Sequence, residues 1–188
     1  MCSSDLAAAH ALRVQRFDDP RFEVGDAAVP PGVEMPATVE ACPAQPIGLI
    51  DRIGFWSACE LRLARGSWME PGPGAAWIRL LAPVVPGEAP TPTQRLCAAA
   101  DFGSGVGNPV REARAGAINA ELTVHQHRPL DGDWVGLDSR AWAHPEGGGL
   151  TETALFDAQG SVGRGSQAMV LLDATPWSES SEIGRAHV

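Results

Sequence analysis

Asp101 is the residue whose setting most favours chemistry. It closes a small-sided apolar run, Leu96-Cys97-Ala98-Ala99-Ala100, and stands just before Phe102 and Gly103. A carboxylate in the last turn of a helix opposes the helix dipole, which prefers cations there. Covered by protein, such a carboxylate would be desolvated, and a desolvated carboxylate is a stronger base. The plain alternative is a solvated acid on a helix end. Gln167 is the second candidate. It interrupts a small, apolar stretch (Gly163, Gly165, Ala168, Met169, Val170, Leu171). A buried amide there must be hydrogen-bonded, either in a structural role beside Gly165 or to hold a water or a carbonyl. Asn119 is the third. By strand parity it shares the polar face with Glu121, Thr123, His125 and His127. That face points away from a helix covered by the apolar side, unless a bulge re-aims it.

Two other patterns have the look of functional motifs. His125 and His127, two apart on one strand face, could bind a metal with Glu121. No further ligand stands nearby and Arg128 follows, so the expectation is no metal. Gly103-Ser104-Gly105-Val106-Gly107 has the look of a phosphate loop. It follows a helix instead of opening one, and it lacks the Lys-Ser/Thr of a P-loop. Ser104 also lacks the strand–turn–helix setting of a nucleophile elbow.

These residues need elements to hold them. Thr91 is a good N-cap, Pro92 suits the first helical position, and Gln94 completes a capping box. The helix then runs from Arg95 to Phe102, with Gly103 as its stop. Strand patterns surround it: 59–65, 76–83, 118–128, 134–143, 149–156 and 162–172. In the third of these, Ile118, Ala120, Leu122 and Val124 are expected on one face. Turns fall at Glu70–Gly74, Asp131–Asp133, Pro145–Gly148 and Asp157–Gly160. Two strands, one helix and four strands imply an α+β layer fold, a curled antiparallel sheet wrapped around one central helix.

The chain has 188 residues and a net charge of −9, which argues against nucleic acid or an anionic membrane as partner. No apolar run reaches the ~18 residues of a membrane span. Cys2, Cys42, Cys59 and Cys97 show neither zinc nor disulfide spacing, and a reduced, cytoplasmic setting is expected. The ends are a separate matter. Glu182-Ile183-Gly184-Arg185-Ala186-His187 can be written GAG ATC GGA AGA GCA CAC. The reverse complement, GTG TGC TCT TCC GAT CTC, reads Met1-Cys2-Ser3-Ser4-Asp5-Leu6 from a GTG start. Both ends resemble one sequencing adapter read from opposite strands, and are set aside as fusion scars are. Residues 16–46 are dense in proline, which favours extended linker. The expected organisation is therefore 1–6 adapter-derived, 7–49 a remnant of a first domain plus linker, 50–173 the domain proper, and 174–188 a tail that ends in adapter-derived residues.

Three segments together resemble a known family: Ala98-Ala99-Ala100-Asp101-Phe102-Gly103, Ile118 through His125-Gln126-His127-Arg128-Pro129, and Gly149-Leu150 through Asp157 to Gly163-Arg164-Gly165-Ser166-Gln167. They are similar to the C-terminal half of the thioesterase-like superfamily, the acyl-CoA thioesterase II relatives built as tandem hot-dog domains. The resemblance implies a hot-dog fold and hydrolysis of acyl-CoA thioesters to free fatty acid and CoA, without metal or cofactor. It implies that Asp101, Asn119 and Gln167 orient and activate a water, Asn119 standing where the family has Thr. It also implies that backbone N–H groups at Gly103, Ser104 and Gly105 meet the thioester oxygen, and that the domain pairs with a second hot-dog, either a first domain or another copy. The Asn119 substitution leaves a non-catalytic acyl-CoA or lipid-binding module as the alternative.

Overall fold

The computed structural model describes residues 34–44, 55–68, 70–109 and 115–173. A short 3-10 helix, Phe55–Ala58, leads into β1 (Cys59–Arg65) and β2 (Gly74–Leu80). Helices α1 (Pro92–Ala100) and α2 (Gly103–Val106) follow, then β3 (Ala115–Gln126), β4 (Trp134–Ala143), β5 (Gly148–Asp157) and β6 (Gly160–Asp173). The six strands form one antiparallel sheet in the order β1-β2-β4-β5-β6-β3. Insertion of β6 between β5 and β3 leaves β3 as a sheet edge.

The helix starts as its sequence dictates. The Thr91 side chain accepts from Gln94 N–H at 3.2 Å, and the Gln94 side chain accepts from Thr91 N–H at 2.8 Å. Arg95 ties this end to the turn before β4, donating to Gly132 O at 2.8 Å and to Pro90 O at 3.0 Å. One face of α1 is buried, through Leu96, Ala99 and Ala100. It meets Leu61, Ile78, Val135, Leu137, Leu155 and Val162 on the concave side of the sheet. Cys97, on the opposite face, is exposed. In this chain the sheet therefore covers one side of α1.

The far side of the sheet carries a smaller core. There Trp77 and Phe156 are covered by Met35, Ala37, Val39 and Cys42. Trp77 Nε1–H donates to Ala37 O at 2.8 Å. This part of the proline-rich stretch is thus packed against the sheet despite Pro36 and Pro43. Arg62 and Arg79 place their guanidinium groups 5.1 and 4.9 Å from the centre of the Trp134 ring.

The Arg128-Pro129 corner has a structural task. Asp157, whose side chain is fully buried, accepts from Arg128 Nη1 at 2.5 Å and Nη2 at 2.7 Å, and from the backbone N–H of Asp131 and Gln159. This forked pair clips the end of β3 to the β5–β6 turn, where Gly160 supplies a φ of 123°.

Two local expectations are corrected. Gly103 does not end the helix. The first helix stops at Ala100 with Asp101 as its C-cap, and Gly103 begins α2. Nor do Ile118, Ala120, Leu122 and Val124 share a face. Asn119 pairs with Met169 and Glu121 with Ala168, so Ala120 is bulged out of register. Leu122 and Val124 face the core, whereas Ile118 is 50% exposed, opposite Val170 at 42%.

Candidate active site

The bulge brings Asn119 to the helix. A one-residue insertion exchanges the faces of everything before it, so Asn119 joins Leu122 and Val124 on the inner side. Its Nδ2 donates to Asp101 O and to Asp101 Oδ1, each at 3.1 Å. Gln167 reaches the same place from β6, where it stands opposite Leu122 and Thr151. Its Nε2 donates to Asp101 O at 3.1 Å. Two side-chain amides thus converge on one helix-end carbonyl, a group that α1 itself cannot satisfy. The three residues expected to form the site do come together.

Because every partner of Nδ2 and Nε2 is an oxygen acceptor, the orientation of both amides follows. Their carbonyl ends, Asn119 Oδ1 and Gln167 Oε1, are buried without a partner. A carbonyl left in that state costs about 1–3 kcal/mol, so unpaired groups of this kind gather where a ligand or water completes them. Asp101 itself is exposed. The cover expected of a buried helix end is therefore not supplied by the described residues.

Gly103 is buried, while Ser104 and Gly105 are partly exposed at the start of α2. Phe102 caps this helix without a side-chain bond. The glycines serve close packing. A Cβ on Gly103 would stand 2.4 Å from Thr153 Oγ1 and 2.6 Å from Gln167 Oε1. One on Gly107 would stand 3.0 Å from the Ser139 and Arg140 backbone. The glycine-rich sequence lets α2 lie flat on β4 and β5, over the Gln167 amide. An aromatic group, Phe55, Trp56, Trp68 and Phe102, walls the other side, with Trp56 and Phe102 ring centres 4.6 Å apart.

Sequence reasoning missed the polar floor. Ser139, Thr151 and Thr153 are all buried on the concave face. Ser139 Oγ and Thr153 Oγ1 are 3.0 Å apart, and Thr151 donates to Met169 Sδ at 3.1 Å. The signal was present in the strand parity. Ser139 is in phase with Val135 and Leu137, and Thr151 and Thr153 are in phase with Leu155.

A groove of about 380 Å³ lies on the other face of the sheet, lined by His125, Arg140, Glu152, Arg164 and their neighbours. It does not reach Asp101. No cluster of metal-ligating side chains occurs among the described residues. No helix among them is long and apolar enough to cross a membrane.

The family of the acyl-CoA thioesterase C-terminal domain matches residues 16–171. The chain belongs to this family. Its fold is a hot-dog: a protein of unknown function with a hot dog fold from Alicyclobacillus acidocaldarius superimposes with a TM-score of 0.56 at 12% identity. That match covers 88% of this chain and 58% of the other, so this thioesterase-family chain spans little more than half of that structure. A thioesterase from Haemophilus influenzae matches at TM-score 0.48 and 8% identity, covering 63% of this chain and 82% of the other. Acyl-CoA thioesterase II TesB2 from Mycobacterium marinum matches at 0.45 and 15%, covering 75% and 60%. No curated protein sequence matches the chain.

Proposed function

We propose that this thioesterase-family domain hydrolyses acyl-CoA thioesters by direct attack of water. The observation that carries the reading is the convergence of Asn119 and Gln167 on Asp101. Asn119 Nδ2 orients the carboxylate, and both amides fix the backbone that bears it. The carboxylate takes one proton from a water, whose second proton is held by Asn119 Oδ1. The water oxygen adds to the thioester carbon. The N–H groups of Ser104 and Gly105, with Gly103 buried behind them, are assigned to the oxygen that gains charge. The C–S bond then breaks, and the thiolate leaves with the proton from Asp101. Water and thioester are consumed, and fatty acid and CoA are formed, with no metal or cofactor.

The exposed Asp101 needs a second wall. We assign it to another hot-dog domain, in the same protein or a second copy, meeting the β3 end of the described sheet. Closure would shield the attack at Asp101 from bulk water. The setting we propose is cytoplasmic, with residues 50–173 as the catalytic domain.

A second reading is favoured by one residue. Asn119 stands where the family pattern has Thr, so the domain would bind acyl-CoA without cleaving it. A panel of acyl-CoAs separates the two. Released CoA thiol, rising with time and enzyme, supports hydrolysis. Saturable binding with no thiol release rejects it in favour of the binding module.

A further inference from the structure

The far face of the sheet is crossed by one described segment. Followed from residue 44 back to residue 35, it passes over the strands in their sheet order. Ala44 bridges to Arg62 of β1, and Arg62 Nη1 donates to Val39 O at 3.3 Å. Trp77 of β2 donates to Ala37 O at 2.8 Å. Met35 comes next, packed against the cluster of Trp77 and Phe156. It also adjoins Gly136 of β4, where a Cβ would stand 3.0 Å from its sulfur. The strands still ahead are β5, β6 and β3. The groove of about 380 Å³ lies over these, with Ala154, Arg164, Ser166 and His125 in its lining. It adjoins the covered cluster directly, since Ala154 belongs to both. Its charge is unbalanced. Asp138 is taken by Arg65 at 2.6 Å, which leaves Glu152 against the guanidinium groups of Arg140 and Arg164. Neither of these arginines has a hydrogen bond or ion pair with a described residue.

We propose that residues 16–33 occupy this groove, continuing the crossing over β5 and β6 to β3, with Asp26 and Glu23 paired to Arg140 and Arg164. These residues lie outside the described part of the chain but inside the family match, which begins at residue 16. Their acids, Asp18, Asp19, Glu23 and Asp26, outnumber Arg16 and Arg21. That is the charge two unpaired guanidinium groups attract. The reach is ample. From β4 to β3 is three strand spacings, about 15 Å, and an extended chain covers about 3.3 Å per residue. Asp26 can therefore stand anywhere on the groove. A chain running across strands makes no ladder bonds, so Pro30 and Pro31, which have no N–H to give, are no obstacle. The route also delivers the chain to the β3 end, the end assigned above to a second hot-dog domain. The docking does not rest on the hydrolysis proposed above.

Two experiments on the full chain test this. The chain has no lysine, so Arg164→Lys supplies its only side-chain amine while keeping the charge. A carbodiimide joins that amine to a carboxylate in contact with it. Peptide mass spectrometry on a mixture of plain and isotope-labelled protein then shows which acid is linked, and whether within one chain. A link within one chain to Asp26 or Glu23 is expected. Links only to Glu152 or Asp138 overturn the proposal. Links only between chains overturn it as well, in favour of a second copy as the occupant. The second experiment is limited trypsin digestion, since Arg16 and Arg21 each precede a phenylalanine and are cleavable. Arg140→Glu combined with Arg164→Glu should speed cleavage after Arg16 and Arg21 about tenfold over wild type, by releasing the segment. If the double reversal fails to fold, each single reversal gives the same reading, a rise of about threefold. Equal cleavage rates in variant and wild type overturn the proposal.

Discussion

Replacing Gly103 by alanine probes the site with a single methyl group. The new carbon would sit 2.4 Å from Thr153 Oγ1 and 2.6 Å from Gln167 Oε1, with Thr153 Cβ at 3.6 Å. The first two distances are roughly 1 Å inside ordinary contact, closer than a side-chain carbon is found to approach. Neither side chain can step aside into solvent, since Gln167 and Thr153 are both buried. Two responses remain: α2 lifts from the sheet, or Gln167 rotates and releases Asp101 O. Overpacking of this kind costs about 1–3 kcal/mol, and the lost hydrogen bond about 1 kcal/mol more. Alanine returns at most about 1 kcal/mol as the better helix former. The net expectation is a loss of about 1–3 kcal/mol in urea unfolding, together with a fall of about tenfold or more in kcat if the amide moves. Gly105→Ala is the folding control. Its Cβ would meet only Trp56 and Trp68, at 3.8 and 3.9 Å, and it should match or exceed wild-type stability. Gly103→Ala with wild-type stability and wild-type turnover would refute this account of the site floor.

Asp157→Asn removes one partner of the buried fork with Arg128. It should destabilise the fold by about 3 kcal/mol in urea unfolding. Burial alone would raise the Asp157 carboxyl pKa, but the Arg128 hydrogen bonds and the N–H groups of Asp131 and Gln159 outweigh it and hold it below the ordinary value. This stabilisation is complete above the unfolded-state carboxylate pKa of about 3.9 and is lost as pH falls through the lower folded value. Melting temperature should therefore fall in acid below about pH 4, and Asp157→Asn should flatten that fall. Burial pushes the Cys59 thiol up to about 11. Cys59 should resist alkylation near pH 8 until the protein is unfolded. Peptide mapping that finds early labelling would contradict its burial.

The outline of the fold was legible because its signals are local. Thr91 and Gln94 state the helix start, and alternation marks the strands. Gly132 and Gly160 take the positive φ that their turns require. Two features were hidden because their causes are tertiary. Gly103 reads as a helix stop, yet its backbone is helical and its missing Cβ is what matters, against Thr153 and Gln167. The bulge at Ala120 leaves no mark in the sequence of β3. It is set by pairing with Met169 and Ala168, and it carries Asn119 inward and Ile118 outward. Asp101 and Gln167 stood out as polar residues in apolar runs. Ser139, Thr151 and Thr153 did not, because isolated hydroxyls are common in solvated strands. Only the parity they share with Leu137 and Leu155 identifies them as buried.

The central claim is that Asp101 activates water for thioester cleavage. Steady-state release of CoA thiol by wild type and by Asp101→Asn, at equal folded fraction, tests it most directly. Asp101 is exposed, and its backbone carbonyl keeps both amide donors after the change, so the melting temperature should hold. The account predicts turnover by wild type and a loss of about a hundredfold or more in the variant. Equal turnover by the two proteins would contradict it.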